Sequence, residues 1–418
     1  MTLRTIEPVE TVNPLEAEAR SVRQGLPELL TRRSAALAAR GAESADRERR
    51  LDAGTVSAIT RAGFPAYFVP RLWGGREGTF RQLIDTTAKL GEYCTSAAWC
   101  AGLWAAHSRF AAFLPEQGQF DLWQSSPDVR IAAGLTPHAA RAVRSASGWW
   151  SLSGEWECVS GVGSAHWVLL AARLPHEPGQ EGAARVFAVP RARVEVIDSW
   201  HSTGLRGTGS NTVVLGPTSV PDHRSFALGD ILAGRSDVSR PRCHSVPAQL
   251  VGGLIFCAPA LGAARAALRA WTRWAAPKAA AGASVSGTLH HTLARSSAEI
   301  DAARLLMAEA ARRADQEPVT PLGIARNHRD ASVAIDLLVT AVERLFRTGG
   351  AHARDGAGTV QRCWRDVHTV AAHAVLQFDN AATLYGGVAL APHHAAPASS
   401  PASDSSPGTA GSLGVRAR

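Results

Sequence analysis

The residues able to do chemistry in this chain are scattered histidines and hydroxyls. There are 15 histidines and 6 cysteines, the usual material of metal and nucleophilic sites. Cys94, Cys100, Cys158, Cys243, Cys257 and Cys363 contain no C-x-x-C pair and no short spacing to histidine, so no zinc or iron–sulfur pattern is present. His368 and His373 are five positions apart, about 140° round a helix, and do not make a metal pair. Ser160, which precedes Gly161 at the close of a β-like run, reads on its own as a turn serine. Gly207-Thr-Gly209-Ser-Asn-Thr212 fails the G-x-G-x-x-G dinucleotide fingerprint at its last position and sits between a turn and a strand. A P-loop, an H-E-x-x-H helix and a G-x-S-x-G elbow are absent from the sequence as well. Nicotinamide binding, nucleotide hydrolysis, zinc proteolysis and serine-esterase chemistry therefore lose their sequence support.

The elements that must position these residues fall into three blocks. From about Pro14 to Phe113, Ala-, Leu- and Arg-rich segments carry apolar residues at helical intervals, broken at Gly63, Pro65, Pro70 and Gly74-Gly75. From about Val129 to Leu228 the texture changes to short β-branched and aromatic runs (Trp149 to Leu152, Trp167 to Ala172, Val186 to Val189, Thr212 to Leu215), which predict a small antiparallel β domain. After a Pro/Arg-rich connection, helical periodicity returns over Leu250 to Ala276, His290 to Ala314, Arg326 to Arg347 and Thr359 to Leu376. From Ala391 onward Ala, Pro, Ser and Gly cannot offset their ordering entropy by burial. The expected division is a flexible N-terminus (1–13), an N-terminal helical domain (14–128), a middle β domain (129–228), a C-terminal helical bundle (229–390) and a disordered tail (391–418).

With 418 residues and 45% hydrophobic composition the chain can bury a large core over two or three domains. The net charge of +8 comes from arginines spread thinly along the chain, without the Lys/Arg clusters of a nucleic-acid footprint. An acidic, polar N-terminus (Glu7, Glu10, Glu16, Glu18) lacks the apolar core of a secretory signal. No run of about 18 uninterrupted apolar residues occurs, since Gly252, Gly253, Pro259 and Arg265 break the stretch from Leu250 to Leu268. The expectation is a cytoplasmic protein with free thiols, bound neither to a membrane nor to nucleic acid.

Several segments, in order and spacing, resemble the acyl-CoA dehydrogenase fold. Within it they resemble the reduced-flavin-dependent (group D) monooxygenases, over about Arg50 to Gly387. They are Leu51-Asp-Ala-Gly-Thr-Val, Ala62-Gly63-Phe, Val69-Pro70 with Gly74-Gly75, Thr95-Ser96-Ala97-Ala98-Trp99, and Trp150-Ser-Leu-Ser-Gly154-Glu-Trp156-Glu-Cys-Val-Ser160-Gly161. Asp198-Ser-Trp200-His-Ser-Thr-Gly204-Leu-Arg206-Gly207-Thr208-Gly209-Ser210-Asn211, Val220-Pro221 and Gln361-Arg362-Cys-Trp364-Arg365-Asp366-Val-His368-Thr-Val-Ala-Ala-His373 complete the set. Cys243-His244-Ser-Val-Pro247, His291-Thr-Leu-Ala-Arg295 and Glu299-Ile-Asp301-Ala-Ala are most similar to monooxygenases that tailor aromatic polyketides, of the actinorhodin-pathway type. The fold so implied is mainly α with a central β-barrel or sandwich and a C-terminal four-helix bundle.

The resemblance also implies roles. Ser160 would face the flavin N5, where a hydroxyl that holds the N5 hydrogen in a dry pocket prolongs the life of a C4a-hydroperoxyflavin. His373, placed on the last long helix, would accept a phenol proton or hydrogen-bond the peroxide. His107, Trp104, His244 and Phe256 would contact substrate, and Leu135, Thr136, Trp200, Arg206, Thr208 and Ser210 the flavin. Gly349-Gly350 would admit a neighbouring subunit to the cofactor. For the tryptophans and for His107, ordinary core burial is the competing reading.

The implied enzyme is the oxygenase of a two-component pair. It would use reduced FMN or FAD from a separate NAD(P)H-dependent flavin reductase, with molecular oxygen, to hydroxylate a phenolic or quinone-type aromatic as a homotetramer. An acyl-CoA dehydrogenase remains an alternative, although Ala374 stands where many dehydrogenases carry a glutamate base. A non-catalytic ligand-binding member of the fold is the other.

Overall fold

A computed structural model describes residues 32–394, apart from 138, 146–147, 176–182, 235–239, 282–285 and 357. The expected flexible N-terminus (1–13) and most of the expected tail lie outside the described residues.

The N-terminal helices are α1 (32–48), α2 (Ala53–Arg61), α3 (Phe80–Gly91), α4 (Thr95–Ala111) and α5 (Glu116–Trp123). Side-chain oxygens cap α2 and α3: Asp52 accepts from the backbone N–H of Thr55, and Thr79 from that of Gln82. The carboxylate of Asp315, from the far bundle, accepts from the N–H groups of Phe80 and Arg81 at 2.8 and 2.9 Å and so ties the start of α3 to the C-terminal helices. Helix α4 is apolar on all sides because it runs through the middle of the molecule, and nearly every one of its residues is buried.

Eight strands follow: β1 (Ile131–Gly134), β2 (Arg141–Arg144), β3 (Trp149–Val159), β4 (Trp167–Arg173), β5 (Ala184–Pro190), β6 (Glu195–Ile197), β7 (Asn211–Pro221) and β8 (Ser225–Ala227). They form one sheet in the order β6-β7-β3-β2-β4-β5-β8, with β1 added beside β4. The sheet is mixed rather than antiparallel throughout, because β1 runs parallel to β4. In β4 and β5 alternate residues serve two cores. Val168, Leu170, Phe187 and Val189 join Trp150, Leu152 and Trp156, while Leu169, Ala171, Val186 and Ala188 meet the helices. Both faces are therefore buried, which accounts for the unbroken apolar runs in these strands.

The β3–β7 register slips between Trp156 and Val159, where Cys158 takes φ 57°. This bulge buries both Trp156 and Val159, which strict alternation would place on opposite faces, and leads the chain into Ser160.

The C-terminal block opens with α6 (Leu228–Ala233) and α7 (Arg242–Ser245). It continues as α8 (Ala248–Ala280), α9 (Ser286–Gln316), α10 (Pro321–Thr348), α11 (Gly350–Ala353), α12 (Thr359–Ala371) and α13 (Phe378–His394). Helix α8 is long and apolar enough to cross a membrane, and 83% of its most apolar window is buried inside the protein. It is the core helix of the bundle, packed against α3, α4, α9, α10 and α12.

Two expectations about this block are corrected. The helix expected over Thr359 to Leu376 stops at Ala371. His373 turns extended (φ −67°, ψ 131°) and its own ring accepts from the N–H of Val375, a local bond that competes with helix continuation. Helix α13 then runs to His394 and passes residue 391, where the sequence reading begins the tail.

Helices α3 and α8 cross at Gly91 and Gly262. A Cβ on Gly262 would lie 2.2 Å from the carbonyl oxygen of Ala88, and one on Gly91 would lie 2.7 Å from that of Pro259. Backbone therefore meets backbone at this crossing, and only glycine fits. Gly262→Ala is expected to force the helices apart and to cost about 1–3 kcal/mol, the usual range for overpacking. Urea denaturation of the variant, with an unchanged m value, checks this.

Candidate active site

A cavity of about 1080 Å³ opens where the three blocks meet. The end of β1 with its loop (Ala133–Thr136), the end of β3 (Glu155–Ser160), α4 from Trp99 to Phe110, the first turns of α8 and the segment Thr369–Val375 form its walls. The lining is mostly apolar and aromatic, as expected of a small-molecule site with a few fixed polar groups. Among the described residues no group of three or more His, Cys, Asp and Glu side chains is placed to hold a metal.

The fold brings together Ser160, Ser210, Leu135, Thr136, Trp200, His107, Phe256 and His373 around this space. The other sequence-predicted site residues lie elsewhere. Trp104 and Thr208 face a second recess of about 980 Å³ on the far side of the Ser160-Gly161 turn. Gly161 closes that turn at φ 67°, and a Cβ there would lie 2.9 Å from the indole nitrogen of Trp104. Arg206 donates to the carbonyl of Asp46. His244 points away from the cavity and is held 2.6 Å from the carbonyl oxygen of Phe68. Gly349 and Gly350 join α10 to α11 and line neither space.

Ser160 is fixed by its neighbours. The indole N–H of Trp99 donates to its oxygen at 3.0 Å, and Ser210 Oγ lies 2.7 Å away. The ring of Trp99 also packs against Phe256 and His373, at centroid distances of 5.2 and 6.1 Å, and Phe256 stacks on the imidazole at 3.9 Å. A single tryptophan thus touches both the serine and the histidine.

The two cavity histidines have opposite hydrogen-bonding sense. His107 Nδ1 lies 2.9 Å from the carbonyl oxygen of Ile131. A carbonyl only accepts, so Nδ1 carries the proton and Nε2 keeps a lone pair. In His373 the N–H of Val375 donates to Nδ1 at 3.3 Å, so the neutral ring carries its proton on Nε2. Burial pushes His107 down to about 4, against the modest upward pull of the Ile131 carbonyl, and burial also holds His373 below the usual imidazole range. Both rings are neutral near pH 7. His107 can accept a hydrogen bond and His373 can give one. Of the two uses the sequence leaves open for His373, this geometry favours donation over proton abstraction.

Sequence reasoning misses Arg109, which lines the cavity while almost wholly buried. Its guanidinium donates to the carbonyls of Cys243 and Val246 and so binds α4 to the start of the C-terminal block. A lone arginine inside the otherwise uncharged Thr95–Ala111 run is the signal that could have marked it. The bond from Trp99 to Ser160 is missed too, since sequence offers the indole only as core or stacking surface.

Comparison with known proteins agrees with this geometry. Residues 254–378 match the acyl-CoA dehydrogenase C-terminal domain family. Over 368 residues the chain is 29% identical to the oxygenase component of the FADH2-dependent resorcinol hydroxylase of Rhizobium sp. (strain MTP-10005), covering 82% of this chain and 89% of the relative. It is 28% identical over 361 residues to the oxygenase subunit HsaA, a flavin-dependent monooxygenase of Mycobacterium tuberculosis (strain ATCC 25618 / H37Rv), covering 82% and 90%. The structure of XiaF from Streptomyces sp. in complex with FADH2 and glycerol superposes with a TM-score of 0.81 at 27% identity, covering 91% of this chain and 98% of XiaF. The chain has the acyl-CoA dehydrogenase fold, and over most of its length it is similar to flavin-dependent monooxygenases built on that fold. It is accordingly an oxidoreductase that works with reduced flavin.

The buried imidazole of His107 makes the oxygenase sensitive to acid. In the unfolded chain the ring takes up a proton near pH 6.5, whereas in the folded protein it does so only near 4. Stability from this group is intact above pH 6.5 and falls as pH drops towards 4, by a total of about 3 kcal/mol. His107→Asn, which keeps a donor for Ile131, should flatten the decline in melting temperature over that window relative to the parent protein. Parallel curves for the two proteins would show that His107 is not the titrating group.

Proposed function

We propose that the cavity holds reduced FMN or FAD against Ser160 and a phenolic or quinone-type aromatic, of the size of an aromatic polyketide, on the side of His107 and His373. The observation that carries this reading is the joining of three features in one mostly apolar cavity: a fixed hydroxyl acceptor, an imidazole lone pair and an imidazole N–H. The cavity volume lies just above the usual range for ligand sites, consistent with a tricyclic ring and a second aromatic side by side. The named activities of relatives, on resorcinol and on p-hydroxyphenylacetate, support an aromatic substrate.

When bound, the flavin supplies the activation of molecular oxygen; the protein supplies position, dryness and proton control. Ser160 Oγ would accept a hydrogen bond from the reduced flavin's N5–H and so hold that proton in place. His373 Nε2–H would be the hydrogen-bond donor that this side of the cavity offers to an oxygen atom. His107 Nε2 accepts a hydrogen bond from the substrate hydroxyl and turns the ring towards the flavin. It does not take the proton outright, because moving a proton from a phenol near pKa 10 to an imidazole near 4 is uphill by about 8 kcal/mol. Trp99 and Phe256 wall the ring plane.

The reduced flavin comes from a separate NAD(P)H-dependent reductase by diffusion, a division of labour supported by the "oxygenase component" in the relatives' names. We place the enzyme in the cytoplasm, where its six free thiols, five of them buried, stay reduced. We also take it to act as a homotetramer, with a neighbouring subunit reaching the cofactor past Gly349-Gly350.

The test is the balance of product against hydrogen peroxide per oxygen consumed, with reduced flavin supplied and a panel of phenols. Ser160→Ala is expected to release most of the oxygen as peroxide. His373→Phe should lower hydroxylation by on the order of 10²-fold, and His107→Ala should raise KM more than it lowers kcat. Unchanged coupling in Ser160→Ala removes that serine from the mechanism. Turnover of an acyl thioester in place of any phenol would make the protein a dehydrogenase.

A further inference from the structure

Behind Ser160 runs a line of hydrogen bonds with a forced direction. Ser160 Oγ lies 2.7 Å from Ser210 Oγ, which lies 2.7 Å from Thr208 Oγ1, and Thr208 Oγ1 donates to the carbonyl of Leu205 at 2.8 Å. All three hydroxyls are buried. At the other end the indole N–H of Trp99 donates to Ser160 at 3.0 Å. The line is thus bounded by a group that can only accept and a group that can only donate.

Each hydroxyl has one proton, so the ends settle the middle. Thr208 spends its proton on Leu205. The contact between Thr208 and Ser210 is then a hydrogen bond only if Ser210 gives its proton to Thr208. By the same step Ser160 must give its proton to Ser210. The reverse order would leave two oxygens 2.7 Å apart with no proton between them. Ser160 therefore turns its proton away from the cavity. One of its lone pairs takes the Trp99 N–H, and the other faces the cavity.

Leu205 holds the accepting end in place. It sits in the left-handed region (φ 50°, ψ 30°), its N–H donates to the buried carboxylate of Asp366 at 2.7 Å, and its carbonyl also takes the indole N–H of Trp200 at 3.0 Å. The direction of the line is thus built into the backbone.

We propose that Thr208 and Ser210 are positioning residues that hold Ser160 as a pure acceptor and so make the site select reduced over oxidised flavin. This rests on the reading that flavin N5 meets Ser160. Reduced flavin has a hydrogen on N5 and matches the lone pair. Oxidised flavin has a lone pair on N5 and meets another lone pair in a dry site, where an unmatched polar pair is unfavourable. Removing either relay hydroxyl frees the Ser160 proton to turn towards the cavity and satisfy oxidised flavin.

The experiment is anaerobic titration of FMN and FAD, reduced and oxidised, into the full-length protein and its Thr208→Val, Ser210→Ala, Thr208→Ser and Ser160→Ala variants, with circular dichroism confirming the fold of each. The parent protein should bind the reduced form more tightly. Thr208→Val and Ser210→Ala should narrow the ratio of the two dissociation constants by roughly tenfold, mainly by tighter binding of oxidised flavin. Thr208→Ser, which keeps the hydroxyl, should retain the parent ratio. A parent protein without preference, or relay variants with the parent ratio, overturns this inference while leaving flavin binding standing. Failure of the folded parent protein to bind either flavin, or affinities unaltered in Ser160→Ala, overturns the reading of the site and this inference with it.

Discussion

The carboxylate of Asp366 is buried between the bundle and the loop that follows β6, and its Oδ1 accepts from the N–H of Leu205 at 2.7 Å. Burial pushes its pKa up, a tendency opposed by the hydrogen bonds from Leu205 and from Thr95 on α4 and by the neighbouring Arg365. Such a group is retained at a cost unless its bonds fix something. Here it fixes where all three blocks touch. Leu205 begins the short turn Arg206–Thr208, Arg365 pairs with Asp46 of α1 at 2.8 Å and donates to the carbonyl of Thr203, and Gly204 lies flat on the backbone of Arg365. With the Arg365 contacts, that anchor ties the β domain, which carries Ser160, to α12, which leads into His373.

The histidines show how backbone groups assign chemistry to side chains. Nothing in the identity of His107 or His373 says which nitrogen is protonated. The carbonyl of Ile131 decides it for one and the amide of Val375 for the other. The stack of Phe256 on His373 then removes water from the ring and keeps it neutral. The cavity thereby holds one acceptor and one donor of the same residue type, without a charged acid or base between them.

How far the sequence carries the argument differs from element to element. The buried strands β4 and β5 and the long helices α8, α9 and α10 are legible because their apolar runs have the length and period that their surroundings demand. The break at His373 is not, since Thr359 to Leu376 keeps helical periodicity and only a side-chain bond to Val375 ends the helix early. The bulge at Cys158 is likewise hidden, because a slip in register leaves no mark on composition. The gathering of Ser160, His107, Phe256 and His373 depends on tertiary contacts. It is reachable only through a resemblance spanning about Arg50 to Gly387. That resemblance also drew in Trp104, which the fold places at the second recess, and His244, which it holds against the Phe68 carbonyl.

The distribution of charge around the cavity separates the two chemistries this fold could host. Abstraction of an α-proton from a thioester needs a carboxylate inside the site. The carboxylates that line the cavity, among the described residues, are Glu155 and Glu157, both exposed beside the β3 bulge, and Ala374 follows His373. Arg109, the one cation among the lining residues, spends its guanidinium on two carbonyls. What remains inside is a set of neutral donors and acceptors with fixed directions. Such a set lacks a buried carboxylate base for taking a proton from carbon, whereas in the proposed arrangement it would hold one on nitrogen and offer another to oxygen. Those are the two demands of oxygen transfer from a reduced flavin to an aromatic ring.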